Sequence, residues 1–234
     1  MRRHGGFSLV EMAVVLVIVG LLIGGLLTPL QMQFEQQRVG DTERALEEAR
    51  EALMGFAMRN GYLPCPAISA ANGLEDRQGA TCRAGKRQGL LPWATLGIGK
   101  LDAWGNVYRY SVSPNYANNQ TMFELRTARD ITIGTRDTRG NLVTATAVGD
   151  IPAVVMSHGR NGVGAFSDAG IRNAGASTTN VDERTNASAR GIAFVARTRS
   201  DNPAAPGGEF DDMVVWISPN VLFNRMVSAG TLPR

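Results

Sequence analysis

Histidine and cysteine are scarce in this chain: 234 residues hold two of each, His4 and His158, Cys65 and Cys82. Histidine-dependent catalysis is thinly supplied by such a set. Ser157 and His158 are neighbours, and adjacent residues of a strand point to opposite faces, so they do not form a nucleophile and its base. The cysteines lack the C-x-x-C spacing of a zinc or dithiol site, which leaves one disulfide or two free thiols. Excess charge of one sign is also missing. There are 24 basic and 21 acidic residues, and without Arg2 and Arg3 the excess is one. No basic face for nucleic acid is implied, and no nucleic-acid partner is expected. Gly99-Lys100 has neither the preceding glycine spacing nor the following Ser or Thr of a phosphate loop, which disfavours nucleotide hydrolysis. The chain reads as a non-enzyme. With 44% hydrophobic and 19% charged residues it is nevertheless too apolar for a disordered protein and can build a sizeable core.

What the chain does have is one long hydrophobic run. From Phe7 to Leu30 it is broken only by Ser8, Glu11, the glycines, Thr28 and Pro29. As a helix this run spans roughly 36 Å, enough to cross a bilayer core of about 30 Å with some tilt. Arg2 and Arg3 before it hold that end in the cytoplasm and place the rest of the chain on the far side. A secretory signal peptide would be shorter and end in a small-residue cleavage site. No A-x-A pattern follows, and the polar sequence from Gln31 continues as helix.

Glu11 is out of place in such a run, because a carboxylate in a membrane helix costs roughly 2.5 to 3.5 kcal/mol on insertion scales and is normally kept for a partner. Gly6-Phe7-Ser8-Leu9-Val10-Glu11 followed by an apolar run resembles the processing and assembly segment of type IV pilins and type II secretion pseudopilins. The resemblance implies cleavage between Gly6 and Phe7, N-methylation of the new Phe7 amine, and pairing of Glu11 with the Phe7 amine of a neighbouring subunit. His4 would then leave with the leader.

Residues 31–59 continue as an amphipathic helix. Val39, Leu46, Ala49, Leu53 and Phe56 recur at largely helical steps, while Glu43, Arg44, Glu47, Arg50 and Glu51 fill the other faces. Gly20, Gly24, Gly25, Pro29 and Gly40 weaken or bend it. Asn60-Gly61 stops it, with Pro64 and Pro66 beyond. Strand-like runs follow at 107–112, 122–127, 142–148, 153–157, 192–196 and 213–217, implying an antiparallel sheet that covers the apolar stripe of the helix. Asn220 is placed to cap a short last helix ending before Gly230. Residues 164–209, crowded with Gly, Asn, Ser, Thr and Ala, read as a long excursion with at most one strand. Past the anchor the compartment is oxidising, so a disulfide between Cys65 and Cys82 is expected, holding a surface loop.

The organisation expected is therefore a leader over 1–6, a transmembrane and assembly half-helix over 7–30, an amphipathic half over 31–60, and a periplasmic globular domain over 61–234 with its excursion at about 164–210. The fold class is α+β: a long N-terminal helix packed on an antiparallel β-sheet, pilin-like. Asp102-Ala-Trp-Gly-Asn-Val-Tyr-Arg-Tyr110, Ser157-His-Gly-Arg-Asn-Gly162 and Asp211-Asp-Met-Val-Val-Trp216 resemble ordered motifs of the major pseudopilin. Each also has a purely structural reading, as turns that lead into or out of strands. No cofactor is required on this reading, but in the family it resembles the loop between the last two motifs can bind calcium, here through oxygens of Ser157, Asn161, Asp168, Asp211 or Asp212. The partners it implies are other pilin or pseudopilin subunits, a prepilin peptidase, an assembly ATPase, an inner-membrane platform protein and membrane lipid. The location it implies is the bacterial inner membrane, single-pass, with the C-terminal domain periplasmic or carried in a filament. The alternative from another class is a membrane-tethered periplasmic binding domain that never polymerises.

Overall fold

A computed structural model describes residues 9–175 and 178–232, without the side chains of residues 22–29. The chain forms two compact units that divide between Gly40 and Asp41. Helix α1, Leu9–Asn60, is continuous through Gly20, Pro29 and Gly40. In the first unit its side chains over residues 9–21 are exposed, among them Leu9, Val10, Leu16 and Leu21. In the second unit Leu46, Ala49, Leu53 and Phe56 are buried, as their three- and four-residue spacing requires. The helix stops where Gly61 takes a φ of +79°, a left-handed turn that costs glycine no Cβ clash. Its N–H closes on the carbonyl of Ala57 at 2.7 Å.

The strands are short and follow in chain order with small helices between them. They are β1 (Arg77–Gln78), β2 (Thr81–Cys82), β3 (Gln88–Leu90), α2 (Trp93–Leu96), β4 (Asn106–Val107), β5 (Arg109–Val112), β6 (Thr132–Arg136) and β7 (Leu142–Thr144). Then come β8 (Ala153–Ser157), β9 (Phe166–Ser167), α3 (Val181–Asn186), β10 (Ala193–Val195), β11 (Met213–Trp216) and α4 (Pro219–Ser228). The main sheet is antiparallel, in the order β11-β8-β5-β3. Its central strands β5 and β8 are buried along their whole length. Register pairs Met213 with Ser157 and Arg109 with Met156, which brings the three polar motifs to neighbouring strands. A second sheet has the order β10-β6-β7, and β10 runs parallel to β6. Parallel pairing needs a long connection, and the chain from β6 to β10 supplies one. Ile131, Ile133, Ile151, Val154, Met156 and Phe194 form a core across the two sheets, with Trp216 packed on it. This is the α+β architecture that the sequence pattern predicts.

Several local expectations fail, for physical reasons. Residues 122–127 form no strand: the Asn118 side chain accepts from the N–H groups of Gln120 and Thr121 at 2.9 Å, and Met122 takes a φ of +52°. Phe123 is there to stack on Tyr116, 4.4 Å between ring centres. The last helix starts at Pro219 behind Ser218, so Asn220 lies inside it. The excursion over 164–209 holds two strands and a helix. Its order comes from buried polar contacts: Asp182 accepts from the guanidinium groups of Arg136 at 2.6 Å and Arg197 at 2.7 Å. Asn186 holds β10 by accepting from Val195 N–H at 2.7 Å and donating to its carbonyl at 3.0 Å.

Cys65 and Cys82 form a disulfide, both buried. Inside its loop Glu75 accepts from Cys65 N–H at 3.0 Å and from the Arg77 guanidinium, and Arg77 also donates to the Ala117 carbonyl at 2.7 Å, so the segment is tied into the domain beyond the sulfur bridge. Changing either cysteine to Ser is expected to lower stability by about 3 kcal/mol, the loop-closure contribution for this length. Thermal unfolding checks that, together with alkylation: both thiols stay blocked until a reductant is added.

Candidate functional site

Two places in the chain gather the candidate residues. The first is the N-terminal segment. Glu11 sits in the first turn of α1, exposed and surrounded along the helix by exposed apolar side chains. Gly6 and Phe7 lie outside the described residues. Among the described residues no helix is long and apolar enough to cross a membrane; residues 7 and 8 and the side chains of 22–29, part of the apolar run, are not in that set.

The second lies at one end of the main sheet, where the three motifs meet. Asp102 Oδ1 accepts from the N–H groups of Trp104 at 3.0 Å and Asn106 at 2.9 Å, which shapes the turn into β4. Its Oδ2 accepts from the hydroxyl of Ser157 at 2.6 Å, which links the first motif to the second. The backbone of Ala103 is held in turn by the Thr42 hydroxyl of α1 at 3.2 Å. After β8 the chain turns at Gly159, where φ is +60° and a Cβ would meet the Asp211 carbonyl at 2.4 Å. Only glycine fits there. The turn aims Asn161 N–H at Asp211 Oδ2, 2.8 Å away, and so joins the second motif to the third.

Asp211 and Asp212 then meet a residue that the motifs do not contain. Glu183 of α3 brings its carboxylate beside theirs, and ligand oxygens of the three lie within 4.8 Å of one another, all buried. Glu183 Oε1 accepts from the Asn161 amide at 2.8 Å and from Asp211 N–H at 3.0 Å, and its Oε2 accepts from the Asn180 amide at 2.6 Å. The Asn186 amide donates to Asp212 Oδ2 at 2.7 Å. Two oxygens remain, Asp211 Oδ1 and Asp212 Oδ1, buried and without a hydrogen-bond partner. His158 is buried beside them, its Nδ1 3.4 Å from Asp212 Oδ1, and neither ring nitrogen makes a hydrogen bond.

Three carboxylates held this close and away from water cannot all stay ionised cheaply. Burial pushes Asp211 up to about 7, with the charges of Glu183 and Asp212 adding to it against the hydrogen bond from Asn161. Glu183 is raised in the same way, by burial and then by Asp212. Asp102 is raised by burial in spite of its hydrogen bonds. Such a group can trade its protons for a hard divalent cation, which prefers oxygen ligands and several carboxylates.

Of the five ligands the sequence suggests for calcium, Asp211 and Asp212 come to this cluster. Asn161 borders it through its amide nitrogen, while its side-chain oxygen accepts from Val163 N–H at 2.9 Å. Ser157 is engaged with Asp102 instead. Asp168 is exposed and paired with Lys100, and is not among the carboxylates brought together. Glu183 is missed by sequence reasoning because it sits inside the excursion. The only signal there is Asn180-Val-Asp-Glu183, the helix-initiating pattern of a capping amide followed by acids.

The class this defines is an α+β chain that carries a long N-terminal helix with an exposed apolar half. Residues 1–27 match the prokaryotic N-terminal methylation motif, the prepilin-type signal of type IV pilins and pseudopilins. Neither a curated protein nor a solved structure matches the chain. The motif marks a pilin-like, generally non-enzymatic structural class that is processed by prepilin peptidase and associates with other pilin subunits.

Proposed function

We propose that this chain is a structural subunit of a type IV-class filament, either the pseudopilus of type II secretion or a minor pilus component. The observation that carries the proposal is the methylation motif over residues 1–27, running into a helix whose described apolar side chains are exposed. A helix of that kind is stable only where lipid or other helices cover it. Before assembly the membrane would cover it, with the C-terminal domain in the periplasm. After cleavage at Gly6 the helices of neighbouring subunits would, bundled in the filament core. An assembly ATPase and an inner-membrane platform protein would drive that transfer. The globular part contributes the join of the 102–110, 157–162 and 211–216 segments, which supports the pseudopilin form of the reading.

Glu183, Asp211 and Asp212 are the residues that would hold calcium in this chain. Bound there, the ion would supply the positive charge that lets all three carboxylates ionise while α3 stays docked on the end of β11.

Gly6 tests the processing step. In the native host the mature chain is expected to begin at a methylated Phe7, and Gly6→Leu is expected to keep the leader because the junction no longer lacks a side chain. Intact mass of the membrane-extracted protein reads both. A wild-type chain still beginning at Met1 in a host with an active peptidase overturns the reading.

A further inference from the structure

Arg109 occupies a position where a sheet normally places an apolar side chain: it lies on central strand β5, is only 5% exposed, and pairs in register with Met156 and Leu90. Its guanidinium donates to the Gly164 carbonyl at 3.3 Å and lies 5.4 Å from the centre of the Phe166 ring, and its Nε has no partner. Among the described residues no carboxylate forms an ion pair with it. Burial first, and then the neighbouring Arg172, lower its pKa to about 10, with Asp212 offsetting part of the effect.

Arg109 lines a cavity of about 510 Å³ together with Arg172, Lys86, Gln88, Leu90 and Phe166. Arg172 donates to the Ala187 carbonyl at 3.1 Å and is likewise in no ion pair among the described residues. Both polar atoms of the Gln88 amide are buried without a partner. Lys86 is partly neutralised, with its Nζ 3.5 Å from Asp76 and 2.6 Å from the Ala67 carbonyl. The remaining wall is apolar, built on Ala67, Ala70 and Leu90 with Phe166 packed against them. A volume of this size is that of a small-molecule site.

We propose that this cavity binds a small organic acid, its carboxylate received by Arg109 and Arg172 and its apolar body lying against Phe166 and Leu90. A carboxylate supplies what the cavity lacks. It is the counter-ion of two like charges that otherwise repel, and its two oxygens match the fork of a guanidinium in a way that a single ammonium does not. The Gln88 amide nitrogen can donate to the carboxylate as well. The apolar wall distinguishes such an acid from a bare inorganic anion. The cavity shares no lining residue with the carboxylate cluster.

The test uses the full-length chain in detergent micelles, titrated calorimetrically with benzoate, with its neutral isostere benzamide, and with inorganic phosphate. Benzoate is expected to bind at one site, benzamide at least about tenfold more weakly, since one lost charge-assisted hydrogen bond suffices for that factor, and phosphate at least about tenfold more weakly, since it has no apolar body to lie against Phe166 and Leu90. Arg172→Gln, on the exposed rim, is expected to weaken benzoate about tenfold with an unchanged thermal midpoint. Arg109→Lys, which keeps the charge and loses the fork, is expected to weaken it as well. Equal binding of benzoate and benzamide, or unchanged benzoate binding in Arg172→Gln, overturns the proposal. Phosphate binding as tightly as benzoate overturns the assignment to an organic acid. No heat at millimolar benzoate leaves Arg109 a purely structural cation and overturns the site.

Discussion

Replacing Glu11 by Leu is expected to remove the chain from the assembled filament fraction almost completely while its abundance in the membrane stays the same or rises slightly. The rise follows from desolvation: a carboxylate in the apolar part of a bilayer carries a penalty that Leu does not. The loss follows from the pairing that the prepilin-type segment implies, in which Glu11 meets the Phe7 amine of the neighbouring subunit and sets a new subunit in register beside the last. Opposite charges attract far more strongly in that low-dielectric setting than in water. Glu11→Asp is expected to fall between, because its shorter side chain keeps the charge and loses reach. A role for Glu11 confined to its own helix gives a different pattern. An acid in the first turn favours the helix by about 0.3 to 1 kcal/mol through the macrodipole, and Asp would serve there as well as Glu. Sheared filaments and whole membranes, probed in parallel for this chain, separate the two accounts. Equal incorporation of Glu11→Leu and wild type removes the physical reason for a glutamate in this run and restores the non-polymerising tether.

How far the fold is legible in the sequence depends on which force orders each segment. Where burial of apolar side chains decides, the pattern is readable: Leu46, Ala49, Leu53 and Phe56 mark the buried stripe of α1, and Ala153–Ser157 is a central strand as its apolar run suggests. The end of α1 is readable too, since Asn60-Gly61 carries its own stop signal. Short strands without an apolar run are less so. Gln88–Leu90 and Thr132–Arg136 contain glycine and polar residues, and each pairs with a strand distant in sequence, Arg109–Val112 for the first and Ala193–Val195 for the second. Least legible is the segment after Gly164, where order rests on ion pairs and amide hydrogen bonds made by Asp182, Glu183 and Asn186. Such contacts have no periodicity, and composition alone makes the segment look like loop. That is why Asp211 and Asp212 can be singled out from the sequence as candidate ligands while Glu183, the third carboxylate of the cluster, cannot. Arg109 shows the converse. It is visible inside a motif, but that no carboxylate among the described residues forms an ion pair with it is a property of the fold alone.

The carboxylate cluster is expected to make the stability of the protein respond to rising pH and to divalent cations in opposite directions. In the presence of a chelator, stability is expected to fall as pH rises from about 4 to about 7 and to level off above. The sign follows from linkage: Asp211 has an ordinary value of 3.8 and a folded value near 7, so within that window the folded chain holds a proton that the unfolded chain has released. Raising the pH then favours the unfolded state, by an amount on the order of a few kcal/mol across the window. Glu183 shifts in the same direction and widens the effect. Calcium is expected to reverse the loss, because the cation replaces the proton among Glu183, Asp211 and Asp212. Its stabilisation grows with concentration as the logarithm of one plus the ratio of free calcium to the dissociation constant. The rise in thermal midpoint on adding calcium is therefore larger at pH 8 than at pH 5, where protons compete for the same oxygens. Asp211→Asn keeps the shape and removes the charge, so it should flatten the pH slope and abolish the calcium response while α3 remains docked. Thermal unfolding of the full chain with a chelator or with calcium, at pH 5, 6.5 and 8, measures every arm of this. A chelated protein no less stable at pH 8 than at pH 5 sinks the account of the cluster as mutually repelling acids. A pH slope without any response to calcium keeps that account and removes the cation from it, leaving Asp211 as a group that is protonated when folded.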